Sequence, residues 1–211
     1  ASTYKDTVYG NGGNDEIYVN NGDDRVFGGE GDDVLGGGAG NDEISGDAGN
    51  DTIFGGSGND ILTGGPGSDS INGGTGNDTI ISLVPASEAA IALKHKDTVN
   101  AGAGDDKIIF NLNSYLSVQG GAGDDTYLVK GNLLSNGKTS ASGRVEITDD
   151  FGSNKLVLEN IASDALQVRT NRSGFELFNP QTGAAVLSFS GNALNEFQFS
   201  DKVLNLSLIH I

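Results

Sequence analysis

The sequence has 211 residues, a net charge of −17 and no cysteine, methionine or tryptophan. The absence of cysteine excludes a disulfide framework, a thiolate metal site and cysteine catalysis. The excess of 29 acidic over 12 basic residues argues against binding to nucleic acid or to an anionic membrane, because both attract cations. No apolar run approaches the roughly 18 residues of a membrane-spanning helix, so we predict no transmembrane segment.

The negative charge is concentrated in the first part of the chain. Residues 1–81 contain 15 acidic and 2 basic residues, together with 22 of the 34 glycines. Such a composition would ordinarily indicate disorder. A strict repeat argues against disorder here, because a flexible linker would not keep its aliphatic residues in register.

The repeat has a period of nine residues. An aspartate recurs at every ninth position from Asp6 to Asp78, an aliphatic residue follows each aspartate two positions later, and a glycine precedes it by two positions from Gly13 to Gly76. We number each nonapeptide from one to nine, with glycine at one, two and four, aspartate at six and the aliphatic residue at eight. Position three varies freely, which indicates that only its backbone carbonyl is needed.

The chemistry of these positions predicts a cation site. Glycine permits positive φ and lets backbone carbonyls approach one another, and aspartate supplies oxygen from a short side chain. Carbonyl and carboxylate oxygens without histidine or cysteine select a hard cation, and a flexible set of about six to eight oxygens favours Ca²⁺ over Mg²⁺. We expect six residues of each nonapeptide to turn, three to form a short strand, and position eight to point into the core.

The nonapeptide G-G-x-G-x-D-x-U-x is typical of a calcium-binding parallel β-helix. Copies such as 28–35, 37–44 and 55–62 resemble the repeats of the RTX family, whose members are exported by type I secretion. The resemblance implies an all-β fold, a right-handed parallel β-roll with a C-terminal β-rich cap. In this fold two successive nonapeptides make one complete coil, and motifs n and n+2 stack on the same side.

The resemblance also implies one Ca²⁺ ion between each pair of stacked motifs. Carbonyls two and four and the aspartate of the first motif would bind it, with carbonyls one and three and the aspartate of the second. The expected metal-ligating residues are Asn11, Gly13, Asp15, Asp24, Gly28, Gly29, Glu30, Gly31, Asp33, Gly37, Gly38, Ala39, Gly40, Asp42, Gly46, Asp47, Ala48, Gly49, Asp51, Gly55, Gly56, Ser57, Gly58, Asp60, Gly64, Pro66, Asp69, Gly73, Thr75, Asp78, Asp97, Gly102, Gly104, Asp106, Gly120, Ala122 and Asp125. We expect about six to eight Ca²⁺ ions.

The repeat continues less regularly to residue 130, so residues 1–130 are predicted to form the β-roll. Residues 82–91 replace one motif, and we interpret residues 82–96 as a loop insertion. Asp97 follows in a motif without glycines, and it is equally compatible with a solvated turn. Asp106 and Asp125 are 19 positions apart, one more than the length of two nonapeptides. We expect them to face each other as the aspartates of stacked motifs n and n+2.

Residues 131–211 are predicted to form a C-terminal β-rich capping region associated with secretion. Apolar and polar residues alternate in seven segments: 144–148, 155–159, 166–170, 175–178, 186–189, 196–199 and 203–206. Turn signals separate them, among them Asp149–Ser153. Seven of the nine phenylalanines lie beyond residue 100, which predicts a conventional core. A cap is expected because the last coil would otherwise expose a strand edge.

The expected function is a calcium-binding module that folds outside a bacterial cell and supports type I secretion of a larger protein. Its partners would be Ca²⁺ and the type I secretion machinery, its location secreted or cell-surface, and its state a monomeric fragment. No catalytic residue is predicted, since His95 and His210 are isolated. The alternative is a ligand-binding or adhesion module of a large biofilm adhesin. An ice-binding variant is disfavoured because position three carries threonine only at Thr75.

Overall fold

The computed structural model describes residues 4–83, 96–112, 115–130, 144–160, 167–171, 174–178, 183, 185–191, 194–199 and 203–205. These residues form strands joined by short turns and contain no helix, so none of them belongs to a helix that could cross a bilayer. The strands are β1 (Thr7–Gly12), β2 (Glu16–Tyr18), β3 (Arg25–Glu30), β4 (Val34–Ala39), β5 (Glu43–Ala48), β6 (Thr52–Ser57), β7 (Ile61–Thr63), β8 (Ser70–Thr75), β9 (Thr79–Ser82), β10 (Lys96–Ala103), β11 (Lys107–Phe110), β12 (Tyr115–Ala122), β13 (Thr126–Lys130), β14 (Val145–Thr148), β15 (Asn154–Glu159), β16 (Gln167–Asn171), β17 (Gly174–Phe178), β18 (Ala185–Ser190), β19 (Leu194–Gln198) and β20 (Val203–Asn205).

Two ten-stranded sheets contain all of these strands, and successive strands of the repeat alternate between them. One sheet has the order β1-β3-β5-β7-β9-β11-β13-β15-β19-β20, and the other has the order β16-β17-β18-β14-β12-β10-β8-β6-β4-β2. Pairing is parallel from β1 to β19 in the first sheet and from β2 to β18 in the second. The expected fold class, a parallel β-roll, is therefore confirmed.

The core is a column of position-eight side chains in each sheet. In the first sheet Val26, Ile44, Leu62 and Ile80, one from every second nonapeptide, pair across neighbouring strands and are at most 1% exposed. Each such aliphatic contributes roughly 1.5–3 kcal/mol by burial. The repeat therefore has a narrow core, with one such side chain in each nonapeptide.

Six of the nine strands from β1 to β9 have six residues each, more than the expected three. They run from position seven to position three of the next nonapeptide, as in Thr52–Ser57. At these strands the expectation of six turning residues was wrong because parallel pairing continues into the glycines, with Gly38 opposite Gly56 and Ala39 opposite Ser57. β2 and β7 have the three residues expected.

Parallel stacking also continues beyond residue 130. β12 pairs with β14 and β13 with β15, and all seven segments predicted from alternation contain a strand. Antiparallel strands occur only at the end of the described chain, where β17 pairs with β16 and β18, and β20 with β19. Aromatic rings fill this end: Phe175 stacks on Phe189 at 5.4 Å between ring centroids, and Phe197 lies against Phe175 at 5.3 Å.

The buried apolar side chains of the described residues form one cluster that runs from Val19 to Phe199. The repeat and the end of the chain therefore share one core. The division at residue 130 into two units stays a prediction. Most of the predicted loop insertion, residues 84–95, lies outside the described residues, as do residues 131–143.

Candidate metal centre

The position-six aspartates form two columns of stacked side chains, which we call the aspartate columns. The first consists of Asp6, Asp24, Asp42, Asp60, Asp78, Asp106 and Asp125, and the second of Asp15, Asp33, Asp51, Asp69 and Asp97. Along each column the backbone N–H of one aspartate donates to Oδ1 of the next, over 2.7–3.0 Å. The parallel register of the coils thus brings motifs n and n+2 together, as the sequence predicted.

The second carboxylate oxygen of these aspartates is buried and accepts no hydrogen bond. This holds for Oδ2 of Asp15, Asp24, Asp33, Asp42, Asp51, Asp60, Asp69, Asp78, Asp106 and Asp125. All of these residues except Asp15 are at most 2% exposed. The three ion pairs of the described residues are surface pairs, Arg25–Glu43, Arg144–Glu146 and Lys155–Glu196, and contain no column aspartate. A buried carboxylate oxygen without a partner is costly, so a cation is the missing group.

Backbone carbonyls converge on these oxygens. An ideal Cβ built on Gly28, at position one, would come closer than 3.0 Å to Asp33 Oδ2 and to the carbonyl oxygen of Gly46 in the next coil. The same crowding by a carboxylate and a carbonyl recurs at Gly10, Gly37, Gly46, Gly55 and Gly73. At these six glycines a side chain would therefore collide with the oxygen atoms, whereas Val19 and Ala101 occupy position one in two other motifs.

The remaining predicted ligands lie at the same contact between coils. In the first expected site, the carbonyl oxygens of Asn11 and Gly13 lie against Gly29 and Gly31 of the next coil. The carbonyl of Glu30 accepts the N–H of Gly13 over 2.7 Å. Position two requires positive φ, and Asn11 adopts 74° there, which asparagine tolerates better than most residues. These residues of motifs n and n+2 thus lie on neighbouring coils, and the full ligand set stays a prediction.

Burial raises the pKa of several column aspartates in the metal-free chain. The pKa of Asp51 and Asp60 is raised to about 6 and that of Asp69 to about 7, chiefly by burial and in part by the negative charge of neighbouring aspartates. The pKa of Asp106 is likewise raised to about 7, chiefly by burial. Burial therefore favours neutralisation of these carboxylates. A bound cation neutralises them without protonation.

The donor set fits a hard cation of the Ca²⁺ type. Every converging atom is a carbonyl or carboxylate oxygen, which is the ligand type of Ca²⁺. The described residues contain no group of three or more His, Cys, Asp or Glu side chains arranged around one point. The expected site, with two carboxylates completed by carbonyls, is compatible with that finding.

A family model that describes four copies of the RTX calcium-binding nonapeptide repeat matches this chain at residues 1–35, 27–62, 36–71, 54–82 and 95–112. The repeat region of this chain belongs to the RTX family. Its nonapeptides are calcium-binding repeats, and the kind of cofactor expected, Ca²⁺, is confirmed. No curated protein matches the chain.

The weakest predicted member of the aspartate columns is Asp97. Its Oδ1 accepts the backbone N–H of Asp69 over 3.0 Å, so it lies in register despite the missing glycines. Its Oδ2 differs from those of the other column residues, because it accepts the hydroxyl of Ser82 over 2.5 Å. The structure places Asp106 and Asp125 one above the other, as expected, with 2.9 Å between the N–H of Asp106 and Oδ1 of Asp125.

A second ladder, at position five, was missed by our sequence reasoning. Its side-chain oxygens accept the backbone N–H of the equivalent residue in the next coil over 2.7–3.0 Å, for example Asn41 Oδ1 from Asn59 and Asn59 Oδ1 from Asn77. Asp32, which directly precedes the column residue Asp33, belongs to this exposed ladder. A signal was present, since position five carries only Asn, Asp or Ser from Asn14 to Asn77.

Two further buried polar residues are Asp149, in the predicted turn, and Asn154, which lies between that turn and the predicted strand 155–159. Asn154 continues the first column, where its Oδ1 accepts the N–H of Asp125 over 2.6 Å. Asp149 Oδ2 accepts a hydrogen bond from the hydroxyl of Tyr127, whose ring is fully buried in the core. Burial raises the pKa of Asp149. These residues extend the RTX arrangement beyond the matched repeats.

Proposed function

We propose that this chain is a calcium-triggered folding module of a secreted bacterial protein. The observation that carries the proposal is the set of ten buried Oδ2 atoms without a hydrogen-bond partner. In the absence of Ca²⁺ these carboxylates repel one another, and the narrow core offers little to offset the entropy of the chain. Binding of Ca²⁺ is then folding free energy.

The expected calcium affinity connects folding with export. Extracellular calcium modules bind at roughly 10⁻⁴–10⁻³ M, far above the calcium level of a cytosol. The chain would therefore stay unfolded inside the cell, which suits passage through a narrow type I channel, and would fold outside. This role is structural rather than enzymatic. The adhesion alternative, in which the C-terminal cap or the loop at residues 82–96 would contact the target, stays a prediction; residues 84–95 of that loop lie outside the described residues.

A calcium titration followed by circular dichroism tests the proposal. In excess EDTA the spectrum should be that of a largely unfolded chain, and Ca²⁺ should produce a β-rich spectrum with a cooperative midpoint near roughly 10⁻⁴–10⁻³ M. Addition of EDTA should reverse the change. A β-rich spectrum that persists in EDTA would contradict the proposal.

A further inference from the structure

The second coil after the last matched residues, 95–112, contains a nonapeptide that departs from the pattern. Gln119 pairs with Thr148 and Thr126 with Lys155, so Asp149 lies opposite Gly120 and Asn154 opposite Asp125. Residues 149–157 therefore occupy positions one to nine of a stacked motif. Aspartate replaces glycine at position one, and asparagine replaces aspartate at position six.

The exchange at position six removes a carboxylate. Asn154 makes the same backbone contact as a column aspartate, since its Oδ1 accepts the N–H of Asp125. Its Nδ2 donates to the carbonyl of Phe151 over 2.7 Å, where an aspartate would present a second oxygen. This contact between coils would thus retain only one of its two carboxylates, that of Asp125.

The exchange at position one restores the second carboxylate. An ideal Cβ on Gly120 would come closer than 3.0 Å to three oxygen atoms: Asp125 Oδ2, Asp149 Oδ2 and the hydroxyl of Tyr127. In the regular motifs, an ideal Cβ on the position-one glycine lies against the position-six aspartate and a backbone carbonyl of the next coil. The carboxylate of Asp149 takes the place of that carbonyl.

No positive charge compensates this cluster among the described residues. Asp125 and Asp149 are 1% and 2% exposed, and Asp125 Oδ2 accepts no hydrogen bond. The charges that act on Asp125 come from Asp149 and Asp105 and are also negative. Asp149 is held in place by the hydroxyl of Tyr127 and by the N–H of Phe151, which donates to Oδ1 over 3.2 Å.

We propose that Asp125 and Asp149 bind one further divalent cation of the Ca²⁺ type between the coil of Gly120 and the coil of Asp149. It is a site with two side-chain carboxylates from positions six and one, in a motif that the family comparison does not match. The ligands are hard oxygens only, which favours Ca²⁺ over a transition metal. The inference rests on the proposed function, because the same ion must be available to the regular repeats.

Native mass spectrometry of the full chain in Ca²⁺ tests the site by counting bound ions. Asp149→Asn retains an acceptor for Tyr127 but removes the charge, and it should bind one ion fewer than the wild type. Asp150→Asn removes the same charge at the neighbouring, exposed residue and should bind the wild-type number. An unchanged count for Asp149→Asn, with folding shown by circular dichroism, overturns the terminal site. A wild type that binds no Ca²⁺ would instead contradict the proposed function.

A second measurement covers the case in which Asp149→Asn does not fold. Tyr127→Phe keeps the ring and both carboxylates, and Tb³⁺ replaces Ca²⁺ as a luminescent probe. The hydroxyl of Tyr127 lies beside the proposed ion, so tyrosine-excited Tb³⁺ emission should fall in Tyr127→Phe relative to the wild type at equal Tb³⁺ occupancy. Equal emission from both proteins would overturn the site.

Discussion

The backbone N–H of Asp33 donates to Oδ1 of Asp51 over 2.9 Å, one coil further along the chain. Asp51 in turn donates its own N–H to Asp69 over 3.0 Å. The carboxylate of an interior aspartate therefore fixes the backbone of the preceding coil with one oxygen and keeps the other oxygen available for a cation. Each interior residue links two contacts between coils, so a loss at one coil affects its neighbours.

Asp51→Asn should weaken calcium-induced folding far more than Asp6→Asn. Asp51 is 1% exposed and lies between two coils, whereas Asp6 is exposed and borders one. Loss of a charged partner of a buried group costs about 1.5–3 kcal/mol, which corresponds to an increase of roughly tenfold to a hundredfold in the calcium midpoint. The check is a calcium titration of both variants by circular dichroism. Asp32→Asn, in the position-five ladder, serves as a control and should titrate like the wild type.

Gly55→Ala should destabilise the calcium-bound roll. A Cβ on Gly55 would collide with Asp60 Oδ2 and the carbonyl of Gly73, whereas a Cβ on Gly12 would meet only atoms of Glu30 at 3.9 Å. We expect a loss of about 1–3 kcal/mol in the free energy of unfolding for Gly55→Ala, by overpacking. Gly12→Ala is the matched control and should unfold like the wild type. Thermal unfolding in saturating Ca²⁺ compares the two, and equal melting temperatures would show that position one is not crowded.

Without Ca²⁺ the chain should be more folded in acid than at neutral pH. Burial raises the pKa of Asp51 to about 6 and the pKa of Asp69 and Asp106 to about 7, from 3.8. The folded state then binds protons more tightly than the unfolded state, so its stability is greatest below about pH 4 and is lost as the pH rises to about 7. Circular dichroism of the calcium-depleted chain between pH 4 and 8 measures this. A metal-free chain whose β content increases with pH would contradict the expectation.

Mg²⁺ should not replace Ca²⁺ in inducing the fold. The carbonyl and carboxylate oxygens are spread over two coils, and Mg²⁺ requires a small octahedron and releases its water reluctantly. At a concentration that saturates folding with Ca²⁺, the chain in Mg²⁺ should keep the spectrum seen in EDTA. The same spectrum and melting curve in Ca²⁺ and in Mg²⁺ would mean that the backbone carbonyls do not take part in binding the ion.

The nonapeptide period predicted most of the regular part of the structure. Position six, as at Asp33, was correctly expected to face the turn, and position eight, as at Leu35, to face the core. Both positions could be assigned from sequence because their contacts recur in every nonapeptide. The end of the roll was not predictable in this way. Asp149 does not follow Asp125 at a whole number of nonapeptides, and neither Asp149 nor Asn154 carries the expected residue type. Their roles depend on pairing between β12 and β14 and between β13 and β15, which only the three-dimensional structure shows.

The pairing of strands from every second nonapeptide also determines how this chain can change in length. Removal of two adjacent nonapeptides, such as residues 37–54, would leave every later strand in the sheet to which it now belongs. Removal of a single nonapeptide would transfer all later strands to the opposite sheet and rotate the aromatic end by half a turn about the long axis of the roll. The number of motifs thus sets the length of the roll. Whether that number is odd or even sets the direction in which its aromatic end faces.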